Sequence, residues 1–181
     1  AAHGPLAEPA AAVRPLLHDA GAVAVLRPSA ARPTWHPYLL HLRLGFNLLL
    51  SPVYLWGVLL AGGSIATAEF WLGYVSLHLF LYGGTTAFNS YYDRDEGSIG
   101  GLKNPPKVNR QLMHLVLLFD VLAIVLSLLL SPLFAALVAL YLLISKAYSY
   151  EGIRLKKYPI LSTVVVTFFQ GAFTFAMVQV G

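Results

Sequence analysis

Long apolar stretches recur along most of this chain, and they restrict its fold more than any other feature. A helix that crosses a bilayer needs about 20 consecutive, mostly apolar residues. Of the 181 residues, 57% are hydrophobic and 11% are charged, which is too apolar for an ordinary soluble domain. The sequence predicts an all-α fold, a polytopic transmembrane bundle with about five spans, at residues 38–61, 70–89, 112–130, 133–149 and 160–180.

The first 37 residues differ in composition from the rest. They are rich in Ala, Pro, Arg and His, and their apolar run, residues 22–26, is too short for the core of a signal peptide. We predict a disordered or leader segment at 1–37 and a transmembrane domain at 38–181.

Basic residues are confined to two of the four connections between the predicted spans. The connections after spans one and three contain no Lys or Arg, whereas those after spans two and four contain seven, at Arg94, Lys103, Lys107, Arg110, Arg154, Lys156 and Lys157. Loops rich in Lys and Arg stay in the cytoplasm. We therefore expect an integral, multi-pass membrane protein with its N-terminus and both charged loops cytoplasmic, in the inner membrane if the source is bacterial.

Polar residues recur at steps of three or four along the second span. On an ideal helix they fall within an arc of about 80°. Polar groups at membrane depth are costly unless they face protein or a water-filled cavity. This stripe predicts a helix that turns one polar face toward an internal pocket, formed by His78, Tyr82, Thr85, Asn89, Asp93 and Glu96.

The charged end of the stripe contains the candidate metal ligands. Asn89, Asp93 and Glu96 offer hard oxygen atoms one turn apart, and Asp95 lies beside them. Mg²⁺ is usually held by one or two carboxylates together with substrate phosphates. The pattern therefore indicates a magnesium–diphosphate site, although an ordinary solvated helix end has the same charges.

The second charged loop supplies the complementary cations. Arg154 and Lys156 are candidates to stabilise departing pyrophosphate, and Lys157 and Lys103 are candidates to bind the remaining phosphate oxygens. Topology alone also collects such residues in cytoplasmic loops.

Other polar residues within the spans have less definite roles. Arg43 and Asn47, four residues apart, are candidates to line the same cavity. Asp120, inside span three, is either a functional or a structural group. Gln170 is interpreted as a hydrogen-bonding bridge between helices. Because the chain contains no cysteine, thiolate chemistry and cysteine-ligated metals are excluded.

These residues resemble the UbiA superfamily of intramembrane prenyltransferases. The family's first signature is Asn-Asp-x-x-Asp-x-x-x-Asp at a helix end. Here the Asn and the middle Asp are Asn89 and Asp93, whereas Ser90 and Gly97 replace the other two acids. The stretch from Tyr148 to Pro159 is similar to the family's second cytoplasmic loop, and the likeness makes Tyr148 a candidate for binding substrate.

The resemblance implies a transferase that moves an isoprenoid group from a polyprenyl diphosphate to an aromatic or other lipophilic acceptor, with Mg²⁺ as cofactor and membrane lipid as surroundings. The implied reaction involves no nucleic acid. Members usually have nine spans and a second Asp-x-x-x-Asp motif, so we expect residues 38–181 to be an N-terminal portion that is inactive alone. Two other classes stay open, a catalytically inactive membrane subunit and a transporter fragment.

Overall fold

The computed structural model describes residues 36–94, 97–100 and 102–181, and these residues are organised in helices. Three of the helical runs contain short π or 3₁₀ turns between their α-helical parts. The α-helices are α1 (His36–Leu40), α2 (Leu44–Asn47), α3 (Ser51–Leu60), α4 (Ala68–Val75), α5 (Tyr82–Asp93), α6 (Arg110–Leu128), α7 (Pro132–Ser149), α8 (Pro159–Thr167) and α9 (Thr174–Val178).

Four helical runs of the described chain are long and apolar enough to cross a membrane, and they match four of the five predicted spans. They are His36–Leu60, Arg110–Leu128, Pro132–Ser149 and Pro159–Val178. The other predicted span lies within a continuous helical run at 68–93, in which the π turn Ser76–Leu81 joins α4 to α5. Because this run contains the polar stripe, its hydropathy is lower. The all-helical transmembrane fold is confirmed.

Side-chain caps fix where three of these helices begin. Thr67 accepts a hydrogen bond from the backbone N–H of Phe70, and Ser131 does the same for Phe134. Asn109 accepts from the N–H groups of Gln111 and Leu112. Each cap satisfies backbone donors that the first turn of a helix leaves unpaired. The breaks predicted from polar and proline-containing segments therefore coincide with capped helix starts.

The helix α5, which contains part of the polar stripe, ends at Asp93. Arg94 has a φ of 49°, in the left-handed region, and its N–H bonds the carbonyl of Ser90, so α5 ends there. Asp95 and Glu96, which follow, lie outside the described residues. The prediction that Glu96 shares a helix face with Asn89 and Asp93 assumed that the helix continues, and this assumption does not hold beyond Asp93.

The helical run at 68–93 lies at the centre of the bundle. The hydroxyl of Ser76 donates to the carbonyl of Ala123 and lies 2.9 Å from the hydroxyl of Ser127, which joins the run to α6. Leu77 and Leu81 are completely buried. By contrast, Ile160 is 84% exposed and many other large apolar side chains face outward. An apolar exterior around a helix with buried polar groups is the arrangement that a bilayer requires.

Candidate active site

A cavity of about 280 Å³ lies beside the charged end of the stripe. Polar side chains of α5 and α7 line one part of it, including Asn89, Ser149 and Thr85. Apolar and aromatic side chains line another part, including Ile144 and Phe169. A cavity that combines polar side chains with apolar and aromatic ones suits a ligand with a polar head and a lipophilic body.

Asn89 and Asp93 share one cation. Lys156 Nζ donates to Asn89 Oδ1 at 2.9 Å and also contacts Asp93 Oδ1. Ser149 Oγ donates to the same Asn89 oxygen at 2.7 Å. The ammonium group of lysine can only donate, so the Asn89 amide must turn its oxygen, and not its nitrogen, toward Lys156. The side chains of Asp93 and Lys156 are 17% and 15% exposed, so the pair is largely shielded from water.

Arginines surround the same helix end. Arg154 Nη2 lies 3.5 Å from Asp93 Oδ1, and Arg43 Nη2 donates to Ser90 Oγ at 2.8 Å. Arg43, Arg94 and Arg154 all have left-handed backbones, with φ of 45°, 49° and 47°. For a residue with a Cβ this conformation costs about 1–2 kcal/mol, and such strain is concentrated at functional sites.

The stripe divides into two parts. Thr85 and Asn89 line the cavity, as predicted. His78 and Tyr82 are buried instead among aromatic rings: His78 stacks on Tyr74 with ring centroids 4.0 Å apart, and its edge-on contact with Tyr82 is at 5.3 Å.

The remaining predicted site residues have different surroundings. Arg43 and Tyr148 line the cavity, and the hydroxyl of Tyr148 lies 2.9 Å from that of Ser162. Asn47 is buried, and its amide donates to the carbonyls of Leu42 and His78, a bridge between two helical runs. Lys103 and Lys157 are exposed. Lys157 Nζ lies 4.9 Å from the centre of the Tyr158 ring.

Asp120 forms an ion pair within the bundle. Lys146 Nζ lies 2.8 Å from Asp120 Oδ2 and 2.9 Å from Asp120 Oδ1. The same ammonium group lies 4.4 Å from the centre of the Phe88 ring. Gly84 makes room for the carboxylate, because a Cβ there would lie 3.2 Å from Asp120 Oδ1. Of the two roles left open for Asp120, the structure shows the structural one.

A model of the UbiA prenyltransferase family matches residues 50–179. The chain belongs to this family. Membership implies membrane prenyltransferase activity, with a prenyl diphosphate and a lipophilic acceptor as general substrate classes, and members are generally metal-dependent. Searches of curated proteins and of solved structures each found no match.

The donor set of this UbiA-family chain is compatible with a magnesium ion. Asn89 and Asp93 present oxygens close enough for one ammonium group to bridge them, and hard oxygens are the ligands that Mg²⁺ prefers. Within the described residues no cluster of three or more His, Cys, Asp or Glu side chains is present. The other two predicted ligands, Asp95 and Glu96, lie outside those residues.

Three residues of α7 that line the cavity were not predicted, although Tyr148 in the same helix was. These are Tyr141, Ser145 and Ser149, which recur at steps of four. This spacing is a second polar stripe, and the same periodicity argument applied to span four would have found it. Ser90, which accepts from Arg43, was treated only as a departure from the family motif.

Proposed function

We propose that this chain transfers a prenyl group from a polyprenyl diphosphate to an aromatic or other lipophilic acceptor in a Mg²⁺-dependent reaction within the membrane. The observation that supports it best is the position of the cluster of Asn89, Asp93 and Lys156 beside a cavity that has apolar and aromatic side chains in one part of its wall. The cluster is suited to a charged diphosphate, and the apolar wall is suited to an isoprenoid.

Each residue of the cluster has a role in this proposal. Asn89 and Asp93, with Asp95 or Glu96, would hold the magnesium ion, which would supply the positive charge that makes the diphosphate a better leaving group. Arg154 and Lys156 donate hydrogen bonds to the oxygens on which negative charge develops.

The outer substrate contacts are assigned by position. Arg43 and Tyr148, which line the cavity, contact the bound substrates, and Lys103 and Lys157 attract the diphosphate from the loops. Asn47, through its two backbone bonds, keeps the first helical run in place against the stripe.

The proposed reaction is a substitution at the allylic carbon. The bond between this carbon and the diphosphate oxygen breaks, and pyrophosphate leaves with the electron pair. A nucleophilic atom of the acceptor, such as a ring carbon, then bonds to the allylic carbon, and the proton it loses passes to pyrophosphate or solvent. The apolar wall excludes water that would otherwise capture the cation.

Two further proposals concern the whole molecule. The N-terminus and both charged loops face the cytoplasm, because the basic residues are confined to those connections. Residues 38–181 lie within the prenyltransferase domain, because the UbiA family model matches residues 50–179.

A matched pair of lysine variants tests the proposed activity. In membranes that contain the full-length gene product, radiolabelled prenyl transfer and pyrophosphate release are measured with and without Mg²⁺. We expect Lys156→Met to lower turnover at least 100-fold, since it removes a donor to the leaving group. Lys107→Met, on the other charged loop and exposed, should stay within about threefold of wild type, because charges on an exposed loop contribute little.

The same assay separates the alternatives. Pyrophosphate release that needs no Mg²⁺ would refute the proposed metal site. Absence of any transfer by the complete gene product would favour an inactive subunit, and solute flux into proteoliposomes would favour a transporter.

A further inference from the structure

Residues 150–157, the cation loop, lie between α7 and α8 and include Arg154 and Lys156, the two cations that contact Asp93. The loop starts with a tight turn, in which the carbonyl of Tyr150 accepts a hydrogen bond from the N–H of Arg154 at 2.7 Å. Arg154 closes this turn, and Lys156 follows two residues later. The positions of both cations therefore depend on how the start of the loop is held.

The ring of Tyr150 packs against two parts of the molecule. It meets the ring of Tyr92 edge-on, with centroids 5.6 Å apart and an interplanar angle of 83°. It also lies against Gly152, since a Cβ at that position would be only 2.7 Å from Tyr150 Cε1. Edge-to-face aromatic pairs are favourable beyond the area they bury. Because Tyr92 immediately precedes Asp93 in α5, this pair joins the start of the cation loop to the charged end of the stripe.

Tyr92 is itself held by aromatic neighbours on α5. The centroid of its ring lies 4.8 Å from that of Phe88 and 5.3 Å from that of Tyr91. Phe88 is buried and belongs to the core that α5 forms with α6. The contact between Tyr92 and Tyr150 therefore connects the cation loop to the packed core of the bundle.

The polar contacts of the loop differ from this aromatic contact in one respect. Lys156 donates to Asn89 and Asp93, which are the proposed magnesium ligands. When these oxygens bind magnesium and the ammonium group turns to the diphosphate, the direct hydrogen bonds between the loop and α5 are given up. The contact between Tyr92 and Tyr150 uses no metal ligand and no cation, so it can hold the loop with substrate bound.

We propose that Tyr150 is a positioning residue for the diphosphate site. Its ring, packed on Tyr92 and Gly152, keeps the cation loop against α5. Lys156 and Arg154 are thereby placed to bind the diphosphate. Tyr150 is not among the residues that line the active-site cavity, so it acts through these two cations. The inference rests on the proposed function, because the diphosphate is the ligand that the cations would bind.

The reactivity of Lys156 measures the position of the loop without any substrate. Its side chain is 15% exposed and bonded to Asp93, whereas Lys107 on the other charged loop is exposed. The full-length gene product in lipid nanodiscs is treated with a trace of acetic anhydride, and acetylation of each lysine is measured by mass spectrometry. We expect Tyr150→Ala to raise the ratio of Lys156 to Lys107 acetylation about fivefold, since the aromatic contact is lost. Tyr150→Phe retains the ring and should stay within about twofold of wild type.

A second variant displaces the ring without removing it. In Gly152→Ala the new methyl group takes the space of the Tyr150 ring edge, so the ring must move. Gly152 does not have the left-handed backbone that disfavours alanine, so the variant adds no backbone strain. We expect it to raise the acetylation ratio about threefold. Tyr158→Ala is the matched control and should leave the ratio unchanged, because the Tyr158 ring is similarly exposed and lies under Lys157.

Lys146 shows whether the bundle stays intact. It is paired with Asp120 between α6 and α7, so its acetylation should be as low in every variant as in wild type. If neither Tyr150→Ala nor Gly152→Ala raises the ratio of Lys156 to Lys107 acetylation, the inference is overturned. An equal rise at Lys146 would indicate general destabilisation in place of positioning and would also overturn it.

Affinity for Mg²⁺–pyrophosphate, measured by calorimetry on the same nanodiscs, separates positioning from a purely structural role. We expect Tyr150→Ala to weaken binding about fivefold and Tyr150→Phe less than about twofold, because the cations are no longer held in place. A raised acetylation ratio with wild-type pyrophosphate affinity would overturn the inference. If wild type itself binds no pyrophosphate, the proposed function fails, and the acetylation ratio still decides whether Tyr150 positions Lys156.

Discussion

Removing one charge from the Asp120–Lys146 pair should destabilise the bundle, whereas removing both should not. In Lys146→Met the Asp120 carboxylate remains at membrane depth next to Gly84 without its partner, and the Phe88 ring loses the ammonium group that lies over it. Breaking a fully buried ion pair in this way costs about 3–5 kcal/mol. The two side chains here are 22% and 15% exposed, so water relieves part of the cost, and we expect about 2–3 kcal/mol.

The double variant Asp120→Asn, Lys146→Met has no buried charge and should lie within about 1 kcal/mol of wild type, since replacing a buried pair by uncharged groups is often neutral. The assay is reversible unfolding in mixed micelles, followed by circular dichroism, for wild type, both single variants and the double variant. The coupling energy from this cycle isolates the pair. Single variants within about 0.5 kcal/mol of wild type, or strictly additive losses, would refute the reasoning.

Three further predictions follow from the site and its surroundings. Asp93→Ala should abolish prenyl transfer while membrane insertion is retained. Asp93→Asn should be nearly as damaging, because the proposed metal site needs the negative charge of the carboxylate. Wild-type turnover by either variant would contradict that site. A cysteine placed at Ser98, which is exposed in a chain without cysteine, should react with a membrane-impermeant maleimide only in inverted vesicles, and labelling from outside would reverse the topology. Arg94→Gly should raise the free energy of unfolding by about 1 kcal/mol, because Gly adopts the left-handed backbone without strain, and a destabilised variant would refute this argument. Arg154→Gly removes the same strain but also the contact with Asp93, so it should lower prenyl-transfer activity.

The apolar spans were predictable because each is a long, mostly apolar run, and several of them begin at a cap or a proline. The predicted span 133–149 differs by one residue from the helix Pro132–Ser149. The same physics located Asn89 and Asp93, since polar groups on one face of a buried helix must meet protein or a cavity. Lys156 was predicted from its charge and side of the membrane, and the structure brings it into contact with both.

What the sequence did not reveal depends on irregular backbone. The ideal helical phase assumes a constant turn, but Ser76–Leu81 is a π turn, and His78 within it packs among aromatic rings away from the cavity. Gln170, in a second π turn, lines the cavity although no periodic pattern marks it. The left-handed conformation of Arg94, at a position where glycine is the usual residue, gave no signal for the end of α5.

The cations around Asp93 support the proposal that a magnesium–diphosphate complex, rather than a bare metal ion, binds at this site. Among the described residues, Lys156 and Arg154 contact this one carboxylate, and Arg43 binds Ser90 one turn before it. These three cations lie close to a largely shielded carboxylate, so they favour a ligand with net negative charge. A magnesium–diphosphate complex is such a ligand, whereas the same cations would repel a divalent ion alone. Metal and diphosphate should therefore bind together, each strengthening the other's affinity.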